Sequence, residues 1–286
     1  MQKIFFIVLL IISQKGFSSD FFYSLAKPDF DRSLPVELKE ISGLTDVNDS
    51  QFACVQDEHG ILYLYNMPSS SISKRINFGP PGDYEGLTRV GNDYYVLHSN
   101  GDLIELIDPF SEGKFSSKTY NLKLQSPNNE GLCYDPITNS LLIAAKSKGI
   151  EKNERLIYSF DLKKKICSEI PWMTLHLDKL KSDVGKFGIK PIQKVNKNGK
   201  VVELFNFRPA SLAIHPESGE IYIISAADFL LIVLDRNSKV KHALELNESL
   251  FEKAEGITFL PDQSMVITSE GVDFQPKIFK FDSKGR

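Results

Sequence analysis

Three glutamates stand in the same short sequence context and could together do chemistry. Each is followed by a glycine and then by an aliphatic residue that opens a short apolar strand: Glu85-Gly86-Leu87, Glu130-Gly131-Leu132 and Glu255-Gly256-Ile257. Carboxylates brought together repel one another unless they bind a cation or take up protons. An all-oxygen ligand set without His or Cys favours a hard ion, and Ca²⁺ tolerates irregular geometry. We therefore expect Glu85, Glu130 and Glu255 to form a calcium site, the alternative being solvated turn residues.

The spacing of these motifs is typical of β-propeller blades. Two weaker copies, Ser42-Gly43-Leu44 and Ala210-Ser211-Leu212, occupy the same setting, and the intervals between the small second residues are 43, 45, 80 and 45 residues. Self-similarity at this period, with several short strands in each period, indicates a ring of blades. We predict an all-β, five-bladed β-propeller of four-stranded antiparallel blades. A six-bladed ring is the alternative, if the long interval contains a blade without the motif.

The chain ends and the long interval complete this prediction. The last repeat is too short for four strands, and residues 20–39 could form one extended strand, so we expect an N-terminal strand to close the last blade. A single propeller domain would then span residues 20–286. Residues 181–200 are rich in Lys and Gly and lack a period of two, which favours an irregular excursion near residues 178–205, with a short helix around residues 175–180.

Residues 1–19 have the composition of an export signal. Lys3 precedes an unbroken apolar run over residues 4–12, and small residues follow at positions 16–19. A run of nine residues is too short to span a bilayer, so it indicates a cleaved leader, an uncleaved anchor being the alternative. We expect a periplasmic or extracellular protein without a stable membrane span after cleavage.

Composition excludes several classes of function. The formal net charge is −3 and no basic patch stands out in the sequence, which makes nucleic acid an unlikely partner. The three cysteines, Cys54, Cys133 and Cys167, are odd in number and lack CxxC spacing, so we expect core residues rather than a disulfide scaffold or a zinc site. GxSxG, P-loop, HExxH and GxGxxG motifs are absent. An enzyme is still open, because propellers assemble sites from several blades.

The architecture explains how the motif residues would meet. The first strand of each blade lies along the central channel, where a side chain beyond Cβ would crowd its neighbours, while the preceding residue is free to reach into the channel mouth. Around the ring this residue is Ser42, Glu85, Glu130, Ala210 and Glu255. The second strand runs back to the same mouth. Ser42 and the residues near the ends of the second strands therefore form a candidate site for a small polar or phosphorylated ligand: Asp57, His98, Lys146, Asp228 and Glu270.

The five motifs in this order and spacing resemble the SdiA-regulated (YjiK/CarP-like) family of bacterial propeller proteins. The similarity covers about residues 36–282 and includes Thr268-Ser269-Glu270 in the last blade. The resemblance implies a five-bladed propeller distantly related to NHL-repeat proteins, with calcium binding and a link to calcium homeostasis. The acidic positions that it implies are Glu85, Glu130 and Glu255, with Glu270 as an addition, whereas Ala210 offers no ligand.

Two functions follow as expectations. The first is an exported, non-enzymatic calcium-binding propeller that acts as a sensor, a scaffold or a ligand-binding protein. The second, implied by kinship of the family with phytase-like propellers, is a calcium-dependent phosphohydrolase. In that enzyme the metal would hold phosphate oxygens and activate water, while Lys146 or His98 stabilised charge.

Overall fold

Five antiparallel sheets of at least four strands form a five-bladed β-propeller in the computed structural model, which describes residues 21–149, 151–271 and 274–284. The predicted leader at residues 1–19 lies outside this range. Blade 1 consists of Ile41–Asn48, Gln51–Gln56, Ile61–Asn66 and Ser71–Asn77. Blade 2 consists of Tyr84–Val90, Asp93–His98, Asp102–Ile107 and Ser116–Asn121. The five-bladed prediction is confirmed.

The other blades follow the same order from the channel outwards. Blade 3 consists of Asn129–Asp135, Ser140–Ala145 and Glu154–Asp161, and its outer edge is shared by Ile166–Cys167 and Met173–His176. Blade 4 consists of Ser211–Ile214, Ile221–Ser225, Leu230–Leu234 and Val240–Glu245. Blade 5 consists of Ala254–Phe259, Met265–Ser269 and Lys277–Phe281, with Phe30–Ser33 as its fourth strand.

The N-terminal strand closes the ring, as predicted. Phe30 lies opposite Lys280 and Ser33 opposite Lys277, in antiparallel register. The strand pairs an edge that the short last repeat would leave open, and unpaired sheet edges favour aggregation. A short 3₁₀ helix, Val36–Leu38, then leads into the inner strand of blade 1, and its Leu38 is buried.

The inner strands approach one another closely at the glycines, which explains why the motif needs a small residue. A Cβ atom on Gly86 would lie 2.7 Å from the carbonyl oxygen of Glu130, and one on Gly131 would lie 2.5 Å from Leu212 Cδ2. Both distances are shorter than van der Waals contact. Glycine is therefore required by the convergence of the blades on the axis.

Side-chain hydroxyls tie neighbouring inner strands together. Ser42 Oγ donates to the carbonyl of Tyr84 at 2.6 Å, which joins blades 1 and 2, and Thr88 Oγ1 accepts from the backbone N–H of Tyr134 at 2.9 Å, which joins blades 2 and 3. Ser211 Oγ accepts from Ile257 N at 3.2 Å between blades 4 and 5. These bonds link the inner strands of neighbouring blades directly.

Apolar side chains fill the space between adjacent blades. Large aromatic residues are fully buried in these layers, among them Tyr63, Phe160, Tyr222 and Phe279. Cys54 and Cys133 are buried core residues, as expected, and burial raises the pKa of both thiols.

The segment between blades 3 and 4 holds one helix and one hairpin. The helix Leu177–Gly185 packs Leu177, Leu180 and Val184 into the core between these blades. The hairpin pairs Ile192–Val195 with Val201–Leu204, and most of its residues are exposed. Among the described residues, no helix has the length and apolarity needed to cross a membrane.

Candidate functional site

A β-bulge aims each motif glutamate away from its sheet. In blade 2, Tyr84 lies opposite His98 and Gly86 opposite Leu97, so Glu85 is the extra residue in the inner strand. The same shift occurs around Glu130 in blade 3 and Glu255 in blade 5. A bulge releases a residue from the ladder and re-aims its side chain. The three glutamates are thus turned towards one end of the central channel, which we call the glutamate mouth.

Lys146 lies among these glutamates. Its Nζ atom is 2.5 Å from Glu130 Oε2 and 3.7 Å from Glu255 Oε1, and its charge also acts on Glu85. The side chains of Glu130 and Glu255 are 2% and 5% exposed. The sequence placed Lys146 on the rim of the mouth; in the structure it is the resident counter-charge of two buried carboxylates.

A second ion pair lies on the blade 5 side of the glutamate mouth. Lys253 Nζ is 2.5 Å from Glu270 Oε2 and 3.9 Å from Glu255 Oε1. The amide of Glu270 also donates to the carbonyl of Lys253, so the end of the second strand is tied to the start of the first. Glu255 thus has two lysines as neighbours.

Burial dominates the proton affinity of the cluster. It raises the pKa of Glu85 to about 9, with a further contribution from the charge of Glu130, and raises the pKa of Glu255 to about 8 against the opposing effect of Lys146. The pKa of Glu130 is also raised by burial, although Lys146 lowers it. For Lys146, burial by itself would lower the pKa, but Glu255 and Glu130 raise it above its ordinary value. Near neutral pH the mouth therefore holds protons that exposed carboxylates would have lost.

Several buried oxygen atoms in this region lack a well-directed donor. Asp57 Oδ1, Asn128 Oδ1, Asn129 Oδ1, Glu130 Oε2 and Glu255 Oε1 are buried and lack a well-directed hydrogen bond within the described residues, even though Lys146 approaches Glu130. Buried acceptors without donors are costly. The glutamate mouth therefore has more acceptors than donors, which favours the uptake of positive charge.

The side chains of the glutamate mouth are not arranged as a preformed metal-binding site. Among the described residues, no three His, Cys, Asp or Glu side chains are close enough to hold a metal ion together. The ammonium of Lys146 lies near both Glu130 and Glu255. The oxygen donors match a hard cation in kind, and this lysine would have to give way to one.

The structure brings together only part of the predicted ligand set. Asp57 lies close enough to Glu270 for their charges to interact, and burial, followed by the charge of Glu40, raises the pKa of Asp57 to about 7. Ser42 is occupied by its bond to Tyr84. Asp228 accepts from Asn206 N at 3.0 Å and Ser225 Oγ at 2.7 Å, and it fixes a loop of blade 4.

His98 also has a local role. The backbone N–H of Asp83 lies 3.2 Å from its Nε2 and that of Asn100 lies 3.3 Å from its Nδ1. A neutral imidazole accepts through one of its two nitrogens, so the ring takes one of these bonds at a time. The ring packs edge-on to Tyr84. Both ring nitrogens thus face backbone donors. His98 orders the start of the blade 2 inner strand.

Sequence reasoning missed a ring of residues two positions before each motif residue. This position precedes the inner strand and its bulge, and contacts of Asn128 and Lys253 with the glutamates show that it can reach the mouth. Around the propeller it is occupied by Glu40, Asp83, Asn128, Arg208 and Lys253. Asn128 Nδ2 donates to Glu130 Oε1 at 3.1 Å, and the Ser99 hydroxyl bonds to Asp83. Asn128 and Lys253 lie just outside the inner strands, so the signal that could have identified them is their shared position two residues before a motif glutamate.

A cavity of about 240 Å³ occupies the channel beyond the glutamates. Residues that follow the motif line it, including a ring of aliphatic side chains: Leu44, Leu87, Leu132, Leu212 and Ile257. Prolines at the ends of the inner strands border the opposite mouth: Pro136, Pro216 and Pro261. The charged cluster and this largely apolar cavity are thus lined by different residues.

Comparison with known proteins shows the fold. No protein-family model matches the chain, and no curated protein matches it significantly. Among solved structures, the chain is similar to the glutaminyl cyclase of Myxococcus xanthus, with 15% identity, coverage of 91% of this chain and 97% of that chain, and a TM-score of 0.58. A luciferin-regenerating enzyme has 12% identity, covers 91% and 96% of the two chains and has a TM-score of 0.53. At this identity the likeness shows a shared propeller fold.

Proposed function

We propose that this protein is an exported propeller that binds calcium at the glutamate mouth and acts without catalysis, as a sensor, scaffold or ligand-binding protein. One observation carries the proposal: the carboxylates of Glu85, Glu130 and Glu255 are buried close enough for their charges to interact, and Lys146 is the cation that they share. A cation would compensate the charge of these carboxylates, which burial and, secondarily, mutual repulsion now disfavour. The leader-like sequence of residues 1–19 supports export.

Calcium is the cation that suits this donor set. Glu85, Glu130 and Glu255 would hold it, with the amide of Asn128, which contacts Glu130, as a neighbouring oxygen donor. Calcium accepts six to eight oxygen ligands in irregular arrangements, whereas Mg²⁺ demands a regular octahedron. When bound, it would supply the positive charge that Lys146 supplies to Glu130 and Glu255 in the structure.

The ion pairs favour binding over phosphate hydrolysis. Lys146 and Lys253 are the basic residues nearest the glutamates, and both are already paired with carboxylates. A phosphate group would therefore find no unpaired ammonium group at these two lysines. A calcium-dependent phosphohydrolase is accordingly the less favoured function.

Thermal unfolding of the full chain in calcium tests the proposal. Calcium at about 100 times its Kd should stabilise the protein by about 2.7 kcal/mol. The shift should disappear in the triple variant Glu85→Gln/Glu130→Gln/Glu255→Gln. A matched control changes three exposed glutamates elsewhere, Glu112, Glu151 and Glu169, to Gln and should keep the shift.

The same preparation separates binder from enzyme. Turnover of a phosphomonoester that is lost on adding a chelator would favour the hydrolase. A calcium shift without turnover would support the binder. If the triple variant responds to calcium as the parent does, the glutamate mouth is not the calcium site.

A further inference from the structure

Although no basic patch stands out in the sequence as a whole, one strongly basic and exposed segment projects between blades 3 and 4. We call residues 186–204 the basic segment; it includes the hairpin Ile192–Val195 and Val201–Leu204. It contains one acidic residue, Glu203, in a chain whose formal net charge is −3, and five lysines that are all exposed: Lys186, Lys190, Lys194, Lys197 and Lys200. Glu203 is already paired with Lys181 of the preceding helix at 2.8 Å. The positive charge of the segment is therefore left for an external partner.

Four of these lysines lack an anionic partner in the part of the chain that the structure describes. Lys186 pairs with Asp183 at 2.6 Å, but Lys190, Lys194, Lys197 and Lys200 form no ion pair with any described residue. Elsewhere the lysines near acids are engaged, as at the glutamate mouth. The field of the basic segment is thus local and uncompensated.

Apolar side chains accompany the charge. Val195 and Val201 lie directly opposite each other next to the hairpin turn and are 61% and 56% exposed, and Ile192 and Leu204 form an exposed pair at the base. Phe187 is 42% exposed. A two-stranded hairpin with both faces in water is marginally stable. Exposed valines at its end are best explained by a surface that covers them.

The base of the segment is well anchored. Ile189 and Phe205, which flank the hairpin, pack against the core between blades 3 and 4. The hairpin is therefore held in a fixed place on the propeller, with its turn, residues 196–199, directed away from that anchor. Lysines surround the apolar end, an arrangement that suits an interface between water and hydrocarbon.

The N-terminal end of the described chain lies beside the same segment. Phe21 contacts His242 with ring centroids 5.6 Å apart, and Phe187 contacts the same imidazole at 6.5 Å. The basic segment is thus also held against blade 4 at Phe187.

We infer that the basic segment is a docking surface for an anionic lipid bilayer, with Lys190, Lys194, Lys197 and Lys200 near the headgroups and Val195 and Val201 at the acyl boundary. The uncompensated lysines supply the charge complementarity, and the exposed valines supply the apolar contact. This peripheral contact needs no membrane-spanning helix. It is independent of calcium binding at the glutamate mouth.

Vesicle sedimentation with the purified full chain tests the inference. Binding is measured to phosphatidylcholine vesicles that contain about 30 mol% phosphatidylglycerol and to vesicles of phosphatidylcholine alone. The readout is the ratio of the two affinities, because any contribution of the apolar run over residues 4–12 is the same for both kinds of vesicle. Each lysine near an anionic surface contributes about fivefold, so Lys194→Gln/Lys197→Gln/Lys200→Gln should reduce the ratio by on the order of 100-fold. Raising the salt from about 0.1 M to about 0.5 M should also reduce it.

Two further variants locate the effect. The control Lys39→Gln/Lys114→Gln/Lys163→Gln makes the same charge change at exposed positions on other parts of the propeller and should bind as the parent does. Val195→Ser/Val201→Ser keeps the charge, and it should weaken binding at high salt more than at low salt. Circular dichroism spectra that match the parent establish that each variant folds.

Three results would overturn the inference. One is a parent ratio near unity; the second is equal loss of binding in the hairpin and control lysine variants. The third is a parent protein that binds polyglutamate, with the same dependence on the hairpin lysines, but does not bind anionic vesicles. That last result would assign the basic segment to an acidic polypeptide instead.

Discussion

Replacing Glu85 by Gln should make the calcium-free protein more stable and less able to bind calcium. In the folded protein burial raises the pKa of Glu85 from 4.5 to about 9. Between about pH 5 and pH 8 the folded state keeps this proton and the unfolded state loses it, so stability falls by about 1.4 kcal/mol per pH unit through this group. The amide side chain of the Glu85→Gln variant cannot ionise, so the substitution removes that dependence.

The size of the effect follows from the pH interval. Over about three and a half units the full linkage would reach about 5 kcal/mol. Redistribution of protons among Glu85, Glu130 and Glu255 and entry of water reduce it, and we expect Glu85→Gln to gain about 2 kcal/mol at pH 8 and little at pH 5. The gain should be absent in saturating calcium, since the parent then has a cation in place of the proton.

Urea unfolding at several pH values, followed by fluorescence of Trp172, measures this difference. Trp172 is the one tryptophan in the chain and lies over Arg236, away from the glutamates. Glu112→Gln, an exposed replacement in blade 2, is the matched control and should follow the parent at every pH. If Glu85→Gln and the parent show the same pH dependence, Glu85 is ionised in the folded protein and the reasoning fails.

Two other variants probe the same end of the channel. Lys146→Met removes the cation 2.5 Å from Glu130 and should cost about 3 kcal/mol at pH 8. Because calcium can replace that charge, it should stabilise this variant more than the parent. If calcium stabilises both proteins equally in urea unfolding, calcium does not take the place of the Lys146 ammonium. Gly86→Ala would place a Cβ atom 2.7 Å from the Glu130 carbonyl, so the inner strands must separate. We expect a loss of about 1 to 3 kcal/mol in the same assay, and a loss below about 0.5 kcal/mol would show that the ring tolerates the atom.

The blade count could be read from the sequence because each inner strand repeats one steric requirement. Gly86 and Gly131 are small for the same reason, the approach of a neighbouring strand, and such a requirement leaves a periodic mark. The closing strand, Phe30–Ser33, was predictable from the strand missing in the last repeat. Both inferences rest on backbone geometry, which the repeat pattern records directly.

The contents of the glutamate mouth were less accessible to sequence reasoning. The repeat identified Glu85, Glu130 and Glu255 but not the positions of the lysine ammonium groups, because a long flexible side chain can point to water or to an acid. Lys253 was missed for this reason, and Lys146 was placed among the rim residues although it pairs with Glu130. The sequence also does not record burial, which decides whether a carboxylate repels its neighbour or takes up a proton.

Burial also separates the two charged regions of this molecule. The glutamates are enclosed, so their interactions are screened little by salt and should respond mainly to protons and cations, whereas the lysines of the basic segment lie in water within reach of counter-ions. Added salt should therefore weaken vesicle binding at concentrations that leave the calcium shift intact. A chelator should remove the shift while the lysine-dependent vesicle binding persists. If one treatment abolished both, the glutamate mouth and the basic segment would have to be parts of one binding event, and the independence argued from their positions would be wrong.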